Sequence, residues 1–307
     1  MKVLVYGAGV WGSYLAHVLV RGGHDVTVLA RGKRAEELER NGVVIRHYLQ
    51  RRTTIDQVRV IRTLEEDEGY DIIFVVMTYS DFPSVLPILA ANRSRHIVLV
   101  GNNADARRMQ MELQNMSRTE KQVAFGFQIN GGRRENGRIV CIRGGGQMVL
   151  GGLDGPIPFR PLLEKAFDTV KYKLIFHEDM DAWLKNHIVP IIALTSALFA
   201  KGGSLRELAR DKEMLRQIIA AIGEGFDVLE ALGYMMTPAS QARLFRKNKR
   251  TAYLMLKIYH LLPFSRFFDG SYDEIASLFE AFGEWKRKSG IPTPRLDDLE
   301  RRLLGSR

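Results

Sequence analysis

Residues 1–30 read MKVLVYGAGVWGSYLAHVLVRGGHDVTVLA, and the character of the sequence changes twice within them. Lys2 to Tyr6 is a short β-rich apolar run. Trp11, Tyr14, Leu15, Val18 and Leu19 then recur at i, i+3, i+4, i+7 and i+8, the stripe of an amphipathic helix. Gly22-Gly23 closes that helix, and 25–30 is a second β-rich run. The segment predicts a βαβ unit, whose two strands are parallel because a helix connects them.

Between the first strand and the helix stands Gly7-Ala8-Gly9-Val10-Trp11-Gly12, a GxGxxG. Alone the pattern is weak, but directly after a strand and opening a helix it has the context of a dinucleotide-binding turn. Gly7 would permit the tight turn, Gly9 would let the backbone approach a pyrophosphate, and Gly12 would allow close packing of helix on strand. The helix N-terminus would offer its unpaired N–H groups to the anion. A glycine-rich turn without a ligand is the other reading.

The residue closing the second strand decides between cofactors. A carboxylate there binds the ribose 2′-hydroxyl of NAD, whereas this chain has Arg31, followed by Lys33 and Arg34. Cations pair with a 2′-phosphate, so NADP is expected over NAD, with Lys33 or Arg34 helping Arg31. Surface charges opening the next loop would look the same.

Further strand candidates are 71–78 (DIIFVVMT), 96–101 (HIVLVG), 122–129 and 171–177, with helical stretches at 82–91 and 104–113. Strands alternating with helices predict a parallel sheet covered on both faces. The Gly- and Arg-rich segment 131–152 reads as hairpin strands and turns. After 177 the strand signals stop, and 179–199, 204–232, 238–262 and 272–288 read as helices. The expected fold class is α/β, a Rossmann-type doubly wound sheet over residues 1–176 followed by an all-α domain over 177–307. Pro190, inside the first of those helices, is expected to kink it because it removes a backbone hydrogen bond.

A chain of 307 residues suits two domains, and 46% hydrophobic with 26% charged residues is globular composition. One cysteine, Cys141, permits no internal disulfide, so a cytoplasmic setting is expected. The N-terminal apolar run is read as folded structure and not as a leader, because Gly7, Gly9 and Gly12 interrupt it. The longest apolar run, 188–200, falls short of the roughly 20 residues of a membrane span. The net charge of +10 suits an anionic partner without choosing one. Its densest stretch, Arg243, Arg246, Lys247, Lys249 and Arg250, reads as a solvated helix face, since no nucleic-acid module accompanies it. Neither nucleic acid nor membrane is expected as a partner.

The chain resembles the ketopantoate reductase (2-dehydropantoate 2-reductase) family along nearly its whole length: in GAGVWG, in GHDVTVLAR ending at Arg31, in Asn102 of LVGNN, in the Trp-x-Lys of AWLKN, and in EIASLFEAFGEWKRKSGIPTP. The resemblance implies NADPH-dependent reduction of a 2-keto acid bound between the domains, ketopantoate to pantoate in pantothenate biosynthesis. It makes Lys185 the general acid, Glu274 the substrate-binding glutamate, and Asn102 the asparagine positioning cofactor and lysine. It makes Gly7 to Gly12, Arg31 and Asn102 the cofactor site. A small 2-keto acid is the expected partner, and a homodimer is compatible with the family. None of the seven histidines lies in a metal or catalytic motif, His187 being read as packing or surface, and no metal is expected.

The residues themselves bear on these roles. Lys185 has apolar Ile188, Val189 and Ile192 at i+3, i+4 and i+7, a dry stripe that would lower its pKa unless it snorkels to water. Ser271-Tyr272-Asp273-Glu274 is also a capping-box pattern, and asparagine at a strand end is also a common turn residue. The chain departs from the family where asparagines normally face the substrate, at Val189 and Ala193, and at Thr78, where a lysine is usual. The serine that helps hold the substrate carboxylate has no clear counterpart beyond Ser265. These departures leave two alternatives: a reductase of a more apolar 2-keto or imino acid, or a non-catalytic NADPH-binding regulator.

Overall fold

The structure, a computed structural model, describes residues 1–129, 131–142, 146–262 and 271–306, so Ser265 lies outside the described residues. The chain forms two compact units, Met1–Gly101 with Asp105–Met180, and Asn102–Ala104 with Asp181–Arg307.

The first unit runs β1 (Lys2–Tyr6), α1 (Val10–Arg21), β2 (Asp25–Leu29), α2 (Gly32–Asn41), β3 (Val43–His47), β4 (Arg52–Asp56), β5 (Arg59–Ile61), β6 (Ile72–Val76), α3 (Phe82–Ala91), β7 (His96–Val100), α4 (Ala106–Met116), β8 (Gln122–Gln128), β9 (Gly132–Glu135), β10 (Arg138–Cys141), β11 (Gly146–Gly151), α5 (Arg160–Phe167) and β12 (Tyr172–Phe176). Its main sheet has eight strands in the order β12-β11-β8-β7-β6-β1-β2-β5. From β8 to β5 the strands are parallel; β11 joins antiparallel to β8 and pairs parallel with β12. From β1 the chain winds outward to β2 and β5, then returns to build β6, β7 and β8 on the other side. This is the expected doubly wound α/β architecture, and its reversal between β1 and β6 opens a crevice at the strands' C-terminal ends. The central strands are buried on both faces, β6 at every residue. Val3, Val5, Phe74 and Val98 share a core with Leu15, Leu19 and Phe167.

The polar segment after α2 carries a feature absent from the sequence reading. Strands β3, β4, β9 and β10 form a second, four-stranded sheet in the order β4-β3-β10-β9. It covers the outer side of α1, where a Cβ on Gly132 would stand 3.0 Å from Val10 Cγ1 and where His17 Nδ1 meets Asp56 Oδ2 at 2.5 Å. Helix α1 is therefore buried all round from Gly12 to Leu19, more widely than an amphipathic stripe requires.

The second unit contains α6 (Met180–Phe199), α7 (Leu205–Arg210), α8 (Lys212–Ala231), α9 (Ala239–Lys247), α10 (Lys249–Leu261), α11 (Tyr272–Ser289) and α12 (Pro294–Leu304). The single helix expected over 204–232 is divided because Asp211 caps a new start, accepting from Met214 N at 2.9 Å. Helix α6 is continuous through Pro190. Because it begins well before the apolar run at 188–200, it is long and apolar enough to cross a membrane, yet 67% of its most apolar window is buried inside the structure. Helix α12 begins with a proline in its first turn and buries Leu296, Leu299 and Leu303.

Candidate active site

The glycine-rich turn sits at the end of β1, in the crevice. Gly7 has φ +115°, and a Cβ there would lie 2.2 Å from Val76 O, so only glycine lets the turn close onto the end of β6. A Cβ on Gly12 would lie 1.9 Å from Gly7 O, which is the close approach of helix to strand that the motif demands. Beside Gly9 nothing lies within 4 Å. Helix α1 starts there with no side-chain cap and no acidic residue in its first turn, so its own turn supplies no acceptor to its first N–H groups. Ala8, Val10 and Trp11 complete the turn, Ala8 buried and the other two half-buried.

Arg31 is exposed and stands immediately before α2, with Lys33 exposed beside it. Arg34 behaves differently. Its side chain is 10% exposed, and its guanidinium donates to Ala8 O at 3.0 Å, Ser13 Oγ at 2.9 Å, Gly137 O at 3.0 Å and Glu37 Oε2 at 3.0 Å. Burial lowers its pKa from the usual arginine range, although Glu37 opposes that shift. Arg34 thus ties the glycine turn to the β9–β10 hairpin, and this corrects its expected part as a helper of Arg31 toward a phosphate.

In the second unit Asn102 follows Gly101, whose Cβ would stand 2.4 Å from Met77 O. Asn102 is 9% exposed; its Nδ2 donates to Glu274 Oε1 at 3.0 Å, and its buried Oδ1 has no hydrogen-bond partner among the described residues. Glu274 is half-buried in the first turn of α11. Ser271 caps that helix without a side-chain bond, so the reciprocal capping box is not made.

Lys185 is 6% exposed. Its ammonium pairs with Asp181, one turn earlier on α6, and lies 4.8 Å from the centroid of the Tyr234 ring and 5.8 Å from that of Trp285. The dry stripe is present, Ile188, Val189 and Ile192 all being fully buried. Snorkelling is excluded by the lysine's own burial. Trp183 stacks on His187 at 5.0 Å, and burial pushes the imidazole pKa down to about 4, leaving His187 a neutral packing group at pH 7.

Val189 and Ala193 are also fully buried. A Cβ on Gly225 of α8 would lie 2.5 Å from Val189 Cγ1, so Val189 seals a close helix crossing and lines no open pocket. Thr78 is half-buried and donates to Asp81 Oδ2 at 2.7 Å. Asp181, Tyr234 and Trp285 were missed from sequence; only Asp181 left a local signal, an acid four residues before the lysine.

The sequence model of the family described as ketopantoate reductase PanE/ApbA matches residues 3–155, a stretch that includes the glycine turn, Arg31 and Asn102. The chain belongs to this family. It is an oxidoreductase of the ketopantoate reductase family whose match ends before Lys185 and Glu274, so the roles of those two rest on resemblance and geometry. A relative, the uncharacterized oxidoreductase YkpB of Bacillus subtilis (strain 168), is 26% identical over 258 residues, 83% of each protein. Among solved structures, 2-dehydropantoate 2-reductase from Methylococcus capsulatus superposes with TM-score 0.74 at 20% identity, over 99% of this chain and 97% of that one. D-mandelate dehydrogenase in its ternary structure with NADH and anilino(oxo)acetate gives TM-score 0.79 at 13% identity, over 100% and 98%. At such identities the likeness establishes a shared fold.

Proposed function

We propose that this ketopantoate reductase family member reduces a small 2-keto acid, ketopantoate or a close analogue, with NADPH. The observation that carries the reading is Lys185: an ammonium is costly to bury, and this one is buried against one carboxylate and two aromatic rings at the position the resemblance gives the proton donor. A regulator that only bound NADPH would need the glycine turn but not this lysine.

The first unit suits a dinucleotide. The uncapped start of α1 and the open side of Gly9 would receive the pyrophosphate, and Arg31 with Lys33 would pair with a 2′-phosphate. Neither carboxylate nor amide closes β2 to favour NADH instead. The unpaired Oδ1 of Asn102 is an acceptor waiting for an N–H donor such as a carboxamide. The fold shared with a dehydrogenase solved with NADH supports a nicotinamide cofactor here. A cytoplasmic setting accords with Cys141, whose thiol pKa burial raises to about 12.

When bound, NADPH supplies the hydride that reduces the substrate's carbonyl carbon. Lys185 supplies the proton: its N–H bond breaks as the carbonyl oxygen becomes a hydroxyl, and the amine regains a proton from water. Glu274 would accept a hydrogen bond from the new hydroxyl, and its bond from Asn102 fixes its orientation. The test is a panel of 2-keto acids assayed by NADPH absorbance loss, on wild type and Lys185→Ala. Turnover that the substitution abolishes supports the reading, and no turnover on any 2-keto acid refutes it.

A further inference from the structure

We propose that Asp181 is a positioning residue for Lys185, holding the proton donor in place and aimed; the inference rests on the reading of Lys185 as general acid. Both residues lie on one face of α6, a turn apart, with Asp181 in the helix's first turn. An acid placed so before a lysine is, on an exposed helix, an ordinary weak pair. This one is not exposed. The Lys185 side chain is 7% accessible and that of Asp181 14%, so the ammonium has exchanged water for this carboxylate.

The other surroundings of the ammonium explain why one carboxylate matters. An ammonium has three N–H donors. Among the described residues Asp181 is its only hydrogen-bond acceptor. The rings of Tyr234 and Trp285, 4.8 and 5.8 Å away, attract the charge through their faces and offer no lone pair. Two sides are walled by aromatic surface and one is held by Asp181. What is left points the remaining N–H bonds in a restricted direction, as proton delivery to a carbonyl oxygen requires. Asp181 accepts from the ammonium and holds it on one side, so that the N–H bonds left over are free to meet the carbonyl oxygen.

The test uses Asp181→Asn and Asp181→Glu in the full chain. Misplacing a reacting group typically costs up to about 10²-fold, so Asp181→Asn is expected to lower kcat by roughly 10- to 100-fold. NADPH affinity should not change. The loss should fall on kcat, with KM for the keto acid staying within about twofold of wild type, and Asp181→Glu should restore part of it. A second readout needs no cofactor. In thermal unfolding, Asp181→Asn should fall below wild type at pH 7, because the buried ammonium loses its carboxylate acceptor. A wild-type kcat and an unchanged unfolding curve in Asp181→Asn, with Lys185→Ala inactive, would overturn the proposal alone. Full turnover in Lys185→Ala would overturn the proton-donor reading beneath it.

Discussion

Arg34→Ala separates a cofactor ligand from a structural tie. The guanidinium makes four hydrogen bonds with a side chain that is 10% exposed, so water cannot simply replace it. Not every partner is stranded by its loss: Ser13 Oγ still donates to Ala8 O at 3.1 Å, and the Glu37 side chain is 33% exposed and can turn to solvent. Gly137 O and part of the capacity of Ala8 O go unserved. With hydrogen bonds to a charged group worth about 1.5–3 kcal/mol each, the net cost is roughly 2–4 kcal/mol. For a unit of this size that corresponds to a fall in Tm of about 5–15 °C. Because the tie ends on the glycine turn itself, NADPH and NADH should weaken together, by roughly tenfold, about 1.4 kcal/mol. Arg34→Lys should rescue little, since an ammonium cannot reproduce the fork. Arg31→Ala should do the opposite, weakening NADPH by roughly 10- to 100-fold while leaving NADH and Tm nearly unchanged. Calorimetric titration with both cofactors, paired with thermal unfolding, measures all of this. An Arg34→Ala variant of unchanged Tm that loses NADPH alone would refute the assignment and return Arg34 to the phosphate.

Lys185→Ala should lower kcat by about 10²–10⁴-fold while NADPH still titrates normally. Val189→Asn, which restores a family asparagine, should cost about 1–3 kcal/mol in denaturant unfolding by burying an unserved amide. It should bring no gain in kcat/KM for ketopantoate, and a gain would show that the position does face substrate. Gly225→Ala should destabilise by roughly 1–3 kcal/mol, since its methyl would meet Val189. His47 is held at a pKa of about 4, chiefly by burial and then by His17 and the nearby arginines, against the pull of Asp56. The unfolded chain therefore binds more protons than the folded one below about pH 6.5, and stability should decline as pH falls from there toward 4. Replacing His47 with Gln should flatten that slope in acid unfolding.

Features built from residues close along the chain were legible before folding. The GxGxxG turn, the helix it opens and Arg31 at the end of β2 occupy one βαβ unit, where spacing and residue type are enough to specify geometry. The sheet's central strands were equally legible, being continuous apolar runs. Strand β3, VVIRH, is itself apolar, whereas the polar strand β4 carries little signal and exists because it pairs with β3. Four facts about the site belong to the tertiary structure alone. Arg34 is a tie because Gly137, 103 residues away, comes to meet it; Glu274 is met by the amide of Asn102, 172 residues earlier. Val189 is fully buried where a glycine on α8 lets two helices approach closely. Lys185 is enclosed by rings from Tyr234 and Trp285, which no periodicity on α6 could announce. Side-chain type is written in the sequence, but whether a charge meets water, a partner or an aromatic wall depends on burial, and burial is a property of the folded chain.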